Sequence, residues 1–105
     1  MSEPVVRISQ GFFEPQFLET VETKLREGRS SLEPALTALP GLLHYYVAVD
    51  ATSNSIVNIS VWESLAAAKQ MDTLQAMLAQ RDIFVGLGVK FQPIRNYKGL
   101  WSIVP

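Results

Sequence analysis

The sequence has no cysteine and one histidine, so disulfide frameworks, thiolate nucleophiles and the usual zinc ligand sets have nothing to be built from. Charge is scarce as well. Only 18% of the 105 residues are charged, nine Lys and Arg against ten Asp and Glu, for a formal charge of −1. The basic residues are scattered, which leaves no stripe for nucleic acid or for an acidic membrane surface. No apolar run approaches the ~18 residues of a membrane span. The opening MSEPVVRIS lacks a basic segment leading into a long apolar one, so no signal peptide is expected. These shortages point to a cytoplasmic protein with no metal site, no nucleic-acid partner and no membrane segment.

What is present is hydrophobicity, 48% of the chain. A chain of this length suits one domain over residues 1–105 with its own core. So small a domain buries a limited fraction of its surface alone, which makes a homodimer the natural expectation.

The runs alternate in period. Val5 to Phe13, VVRISQGFF, is β-branched and aromatic and stops at Glu14-Pro15, which predicts a first strand. After Pro15, apolar residues recur at Phe17, Leu18, Val21 and Leu25 and continue through Gly28, Leu32, Ala35 and Leu39, the spacing of an amphipathic helix. Pro34 argues against one continuous helix, and Ser30 with Glu33 resembles a capping box. The spacing predicts a break at Gly28 to Ser30 and a second short helix restarting near Ser31. Leu42 to Asp50 and Ser55 to Trp62 are β-rich and joined by Thr52-Ser53-Asn54, an antiparallel hairpin. Ser64 caps a helix through LAAAKQM, and a further helical pattern at Leu74, Met77, Leu78 and Ile83 runs to a stop at Gly86 and Gly88, with Asp72-Thr73 between the two pieces. The last run, KFQPIRNYKGLWSIV, reads as a strand that Pro93 confines to a sheet edge or bulge.

The order β-α-β-β-α-β predicts an α+β, ferredoxin-like fold, an antiparallel sheet with helices on one face. Both phases of Leu42 to Asp50 are apolar, Leu43, Tyr45, Val47 and Val49 on one and Leu42, Tyr46 and Ala48 on the other. A solvated second face should read polar, so a second subunit is expected to cover it.

LPGLLHYYV leading into the hairpin, VWES closing the third strand into a Ser-capped helix, and the order of elements together resemble the antibiotic biosynthesis monooxygenase-like family of dimeric α/β-barrel proteins. The resemblance implies a homodimer with sheets meeting face to face and a pocket between sheet and helices in each subunit. It further implies one of three roles: haem degradation, oxidation of aromatic polyketides without a cofactor, or no known reaction. The residues of the haem-degrading branch are absent, since their places fall near Ser9 or Gln10, at Gln70 and near Gln80. The quinone-forming branch carries an Asn and a Trp four apart on the third strand, as Asn58 and Trp62 are here, although Ala68 falls in the region of that branch's helical tyrosine. The activity implied is a monooxygenase that uses no cofactor and acts on a small phenolic or polycyclic aromatic molecule.

Within NISVWES, residues 58 to 64, alternation puts Asn58, Ser60 and Trp62 on one side of a strand. The amide of Asn58 and the indole N–H of Trp62 are donors suited to a developing oxyanion in a shielded pocket. Equally, Asn58 satisfies a neighbouring backbone group and Trp62 fills the core. His44 is the only imidazole, the side-chain type that titrates near neutrality, and is the candidate base for substrate deprotonation; it could as well be structural. Tyr46 shares its phase and is a candidate for contact with the substrate. Phe17, Met71, Leu74 and Met77 would line an apolar substrate pocket, or simply form core. Arg95 and Tyr97 share a phase with Phe91 and Trp101, a cation beside an aromatic wall or an interface ion pair. The alternative to an enzyme is a non-catalytic module of the same fold that binds a small apolar or aromatic molecule, or acts only through dimerisation.

Overall fold

The computed structural model describes residues 3–105. Strand β1 (Val5–Phe12) leads through a 3-10 turn (Pro15–Phe17) into α1 (Leu18–Thr37), then β2 (Leu42–Asp50), β3 (Ser55–Trp62), α2 (Leu65–Ala68), a 3-10 segment (Lys69–Thr73), α3 (Gln75–Gly86), β4 (Lys90–Phe91) and β5 (Arg95–Lys98). The sheet order is β2-β3-β1-β4, with β5 also on β1, and every pairing is antiparallel. This is the ferredoxin-like arrangement, with the helices on one face.

The helix predicted to break does not. Arg29 Nε donates to Glu33 at 2.9 Å across the expected gap, an i,i+4 pair, so Glu33 is not part of a capping box. Ser30 Oγ donates to the Glu27 carbonyl instead of accepting a backbone N–H. Pro34 sits one turn from the end of α1, where it forfeits one bond to the exposed Ser30. Gly28 is there for approach: a Cβ would stand 2.6 Å from Gln80 Oε1 on α3.

The hairpin closes as its composition predicts. Asp50 accepts from the Thr52 N–H at 2.9 Å and from Ser53 Oγ at 2.8 Å, and Asn54 adopts φ 52°, the left-handed region that asparagine tolerates. Ser64 Oγ accepts from the Ala67 N–H at 3.1 Å and caps α2. After Gly86 the Leu87 N–H bonds back to Ile83 and Phe84, and Gly88 has φ 88°, a helix stop.

Two strand readings change. A bulge between Leu42 and His44 puts Leu42 on the helix face with Tyr45, because Leu42 pairs with Trp62 and Tyr45 with Ser60; Leu43 is the extra residue. The final run is two short strands rather than one. β4 pairs with Gly11 and Phe12, β5 with Val5 to Ile8, and Gln92-Pro93-Ile94 interrupts the edge opposite Ser9 and Gln10. Residues 99–105 form no strand, and Leu100, Trp101, Ile103 and Val104 are 77–88% exposed.

Registration gives the two faces of the sheet. The helix face carries Val5, Arg7, Ser9 and Gly11 against Trp62, Ser60, Asn58 and Ile56, with Tyr45, Val47 and Val49 beside them. The open face carries Val6, Ile8, Val57, Ile59 and Val61, half-buried, with exposed Tyr46 and Tyr97. The open face is thus apolar along β1 and β3, with Gln10, His44 and Arg95 also on it, and the helix face has a polar middle. The core divides accordingly: Val5, Leu32, Leu36, Trp62, Ala68 and Met71 pack at one end, and Phe13, Val21, Ile56, Phe84 and Val89 at the other.

Candidate functional site

Between those two apolar clusters lies a cavity of about 330 Å³. Leu32 and Met71 of one cluster and Ile56 and Phe84 of the other form part of its wall, and Arg7, Ser9, Tyr45 and Asn58 supply its polar groups from the sheet. Its place follows from strand alternation. The apolar inward positions fall at the ends of β1 and β3, and the middle positions, Arg7, Ser9, Asn58 and Ser60, do not fill apolar space. A second, shallower groove of about 650 Å³ lies between α1 and the edge strand β2 and shares Leu25, Leu32, Tyr45 and Val47 with the first. The smaller cavity holds the buried polar chemistry and is the better candidate.

Asn58 donates its amide nitrogen to the Tyr45 hydroxyl oxygen and lies 3.9 Å from the Met77 sulfur. Its carbonyl oxygen is buried and has no protein partner. Since the Tyr45 oxygen receives that bond, its own O–H remains to donate. Burial pushes the Tyr45 phenol up to about 12, against smaller lowering effects of the Asn58 hydrogen bond and the Arg7 charge. Tyr45 therefore stays protonated at neutral pH and acts as a donor.

Arg7 is 4% exposed. One terminal nitrogen donates to Asp72 Oδ1 at 3.1 Å, while the Nε is buried without a partner. Asp72 sits on the 3-10 segment at the rim and is largely in solvent. Arg81, also a lining residue, stands 4.8 Å over the Phe91 ring.

The candidates from sequence separate into three groups. Asn58, Met71 and Met77 line this cavity. Trp62 shares their face but is fully buried in the neighbouring cluster, with its indole N–H given to Ser60 Oγ at 2.8 Å. That bond answers why amide, hydroxyl and indole share a face: the hydroxyl satisfies the indole, and only the amide reaches open space. Leu74 packs against the same cluster, and Phe17 is exposed; neither lines the cavity. His44 and Tyr46 stack on the opposite face of the sheet, centroids 6.2 Å apart. Alternation thus turns the imidazole away from the space that Asn58 and Tyr45 face.

The cation that stands over the Phe91 ring is Arg81, not Arg95. Arg95 and Tyr97 pair with Ile8 and Val6 on the open face, whereas Phe91 lines the cavity, because Pro93 interrupts the run and the phase does not carry across. Arg7, Tyr45, Asp72 and Arg81 were not singled out by the sequence as members of one site. The available signal was the polar phase of β1, Arg7 with Ser9, matched to the polar phase of β3. Among the described residues no group of three or more His, Cys, Asp or Glu is placed to hold a metal ion, and no helix is long and apolar enough to cross a membrane.

No family model matches the sequence, and no curated protein matches it significantly. The structure, however, superimposes on SnoaB, a cofactor-independent oxygenase from Streptomyces nogalater, with TM-score 0.68 and 13% identity, covering 97% of this chain and 98% of that one. A protein from Deinococcus radiodurans, provisionally named an antibiotic biosynthesis monooxygenase, superimposes with TM-score 0.72 and 18% identity over 96% and 97% of the two chains. The fold is theirs. Rv0793 from Mycobacterium tuberculosis shares it too, at TM-score 0.69 and 17% identity over 96% and 99%. The antibiotic biosynthesis monooxygenase fold is thus shared at low identity, and the argument for chemistry has to come from the cavity itself.

Proposed function

We propose that this protein is a cofactor-independent monooxygenase of the cytoplasm that oxidises a small phenolic or polycyclic aromatic substrate with dioxygen, and that it works as a homodimer joined through the open sheet face. The observation that carries the reading is an apolar-walled cavity with a buried amide oxygen lacking a partner, a protonated phenol and a buried guanidinium at its sheet wall. Apolar walls suit a flat ring system, and the few polar groups orient it.

For an anthrone-like substrate the balance is simple: the ring CH₂ and O₂ give a ring C=O and H₂O. Two C–H bonds and the O–O bond break, and the substrate supplies the electrons. The protein's task is to favour the electron-rich oxyanion and exclude bulk water. The Tyr45 hydroxyl donates to that oxygen, the Arg7 charge stabilises it, and the Asn58 carbonyl oxygen receives a ring hydroxyl. Met71, Met77 and Phe84 supply apolar contact. His44, on the other face, has no role in this scheme. The runner-up, a non-catalytic module that binds the same kind of molecule, is favoured by the absence of an imidazole from the cavity wall.

Dioxygen uptake by the metal-free protein, measured with phenols, naphthols and anthrones, tests the reading. Tyr45→Phe, which removes the donor to the developing oxyanion, is expected to lower uptake roughly a hundredfold, the usual loss for such a donor. Uptake unchanged in the variant, or none with any compound, leaves the binding module as the better account.

A further inference from the structure

We propose that the molecule taken by this cavity is an aromatic carboxylate, and that its anion replaces Asp72 at the Arg7 guanidinium. The proposal rests on the cavity being the ligand site and goes on to name the ligand's charge.

A guanidinium presents five N–H donors in one plane and matches a carboxylate best through two parallel bonds. Arg7 receives less than that. Its recorded carboxylate contact is a single bond at 3.1 Å from one terminal nitrogen to one oxygen of Asp72, and the Nε has no partner despite being buried. Burying a cation is costly unless it is well paired, so this one is under-served. Its three charged lining residues are Arg7, Arg81 and Asp72, two cations and one anion. The wall thus carries an unbalanced positive charge.

The two partners of the existing pair differ in freedom. Arg7 projects from the central strand β1, paired on both sides, and its side chain is 5% exposed. Asp72 is 57% exposed on a short 3-10 segment. Withdrawing Asp72 returns a carboxylate to water at little cost, whereas Arg7 has nowhere to go. An arriving carboxylate can offer two oxygens to the Nε and a terminal nitrogen and so complete the fork that Asp72 leaves incomplete. The unpartnered Asn58 oxygen, diagonal to Arg7 across the β1–β3 register, then takes a hydroxyl on the same ring system. The ligand class is a hydroxylated aromatic acid, and Asp72 acts as an occupant displaced on binding.

Calorimetric binding of 6-hydroxy-2-naphthoate, its methyl ester and 2-naphthol tests this without reference to turnover. The acid is expected to bind at least tenfold more tightly than the ester. Asp72→Asn, at a solvent-exposed side chain, is expected to tighten the acid severalfold and leave 2-naphthol unchanged, with Asp82→Asn as a control that alters neither. Arg7→Met should abolish the preference for the acid, and in its background Asp72→Asn should have no effect. Equal binding of acid and ester, or weaker binding of the acid by Asp72→Asn, overturns the displacement. If 2-naphthol and the ester bind and the acid does not, the cavity stands and the anion site falls; if none of the three binds, the cavity is not a ligand site and both readings fall together.

Discussion

Tyr45 and His44 are adjacent in sequence and opposite in consequence. The histidine attracts notice because of its chemistry, yet alternation sends it to the open face, and the tyrosine beside it reaches the cavity. Tyr45 carries a prediction of its own. Its folded value, about 12, lies above its ordinary 10.0, so the folded state holds the phenol proton more tightly. The stabilisation is complete below pH 10 and is lost as pH rises towards 12. At about 1.4 kcal/mol per tenfold difference, the loss amounts to about 2 to 3 kcal/mol. Urea titrations at pH 9 and 12 should show that loss, and Tyr45→Phe should reduce it by most of this amount. Equal losses in both chains would mean that the phenol is not desolvated. At this scale the sequence was partly legible. Asn58 could be found because an amide on a strand of otherwise apolar and hydroxyl residues needs a partner. Arg7 could be found only by matching the polar phase of β1, Arg7 with Ser9, to that of β3, since a lone arginine between Val6 and Ile8 otherwise reads as a solvated side chain.

Elements were more legible than residues, because periodicity survives local exceptions. The exception in α1 is instructive. Gly28, Ser30 and Pro34 each weaken a helix, and their proximity suggests a break. Contacts from α3 and the Arg29–Glu33 pair keep the helix continuous, and tertiary packing outweighs propensity. Gly28 lines the cavity together with Gln80. In Gly28→Ala, the added methyl displaces the Gln80 amide, the free end of a flexible side chain, while the helix gains up to about 1 kcal/mol of propensity. The expected outcome is stability unchanged or raised by up to about 1 kcal/mol in urea, with weaker binding of 2-naphthol as Gln80 is pushed aside. A clear loss of stability would show that α1 and α3 cannot adjust. The bulge at Leu43 and the division at Pro93 were not legible in full, because both change phase without changing the composition of the run.

For the whole molecule, the distribution of polarity is the useful observation. The face of the sheet without helices carries Val6, Ile8, Val57, Ile59 and Val61 beside Tyr46 and Tyr97, more apolar surface than a solvated face ordinarily presents. The sequence pointed to an apolar second face through Leu42, Tyr46 and Ala48 of β2, but the bulge moves Leu42 to the helix face and the apolar surface comes from β1 and β3 instead. Sedimentation equilibrium is expected to give twice the chain mass of 11.7 kDa, and Ile59→Glu, a charge in the middle of that face, should give the single mass with folding retained. Trp101 is 81% exposed. Trp62 is already buried, so a blue shift of tryptophan emission on concentrating the protein would report Trp101 alone. A monomer at high concentration, or a dimer indifferent to Ile59→Glu, would remove the open face as the joint.

Pro93 leaves a further mark on the wall of the cavity. The edge beside β1 is held at Gly11 and Phe12 by one short strand and from Val5 to Ile8 by another, with Gln92-Pro93-Ile94 between them. Gln92 still donates its N–H to the Gln10 carbonyl at 2.8 Å, and the ladder is interrupted at Pro93, which has no N–H to give. Ser9, Phe91 and Ile94 around it all face the cavity. The interruption of the β1 edge ladder therefore falls in the wall of the sheet's own chamber, so the residues that shape that wall are set by a proline rather than by strand pairing.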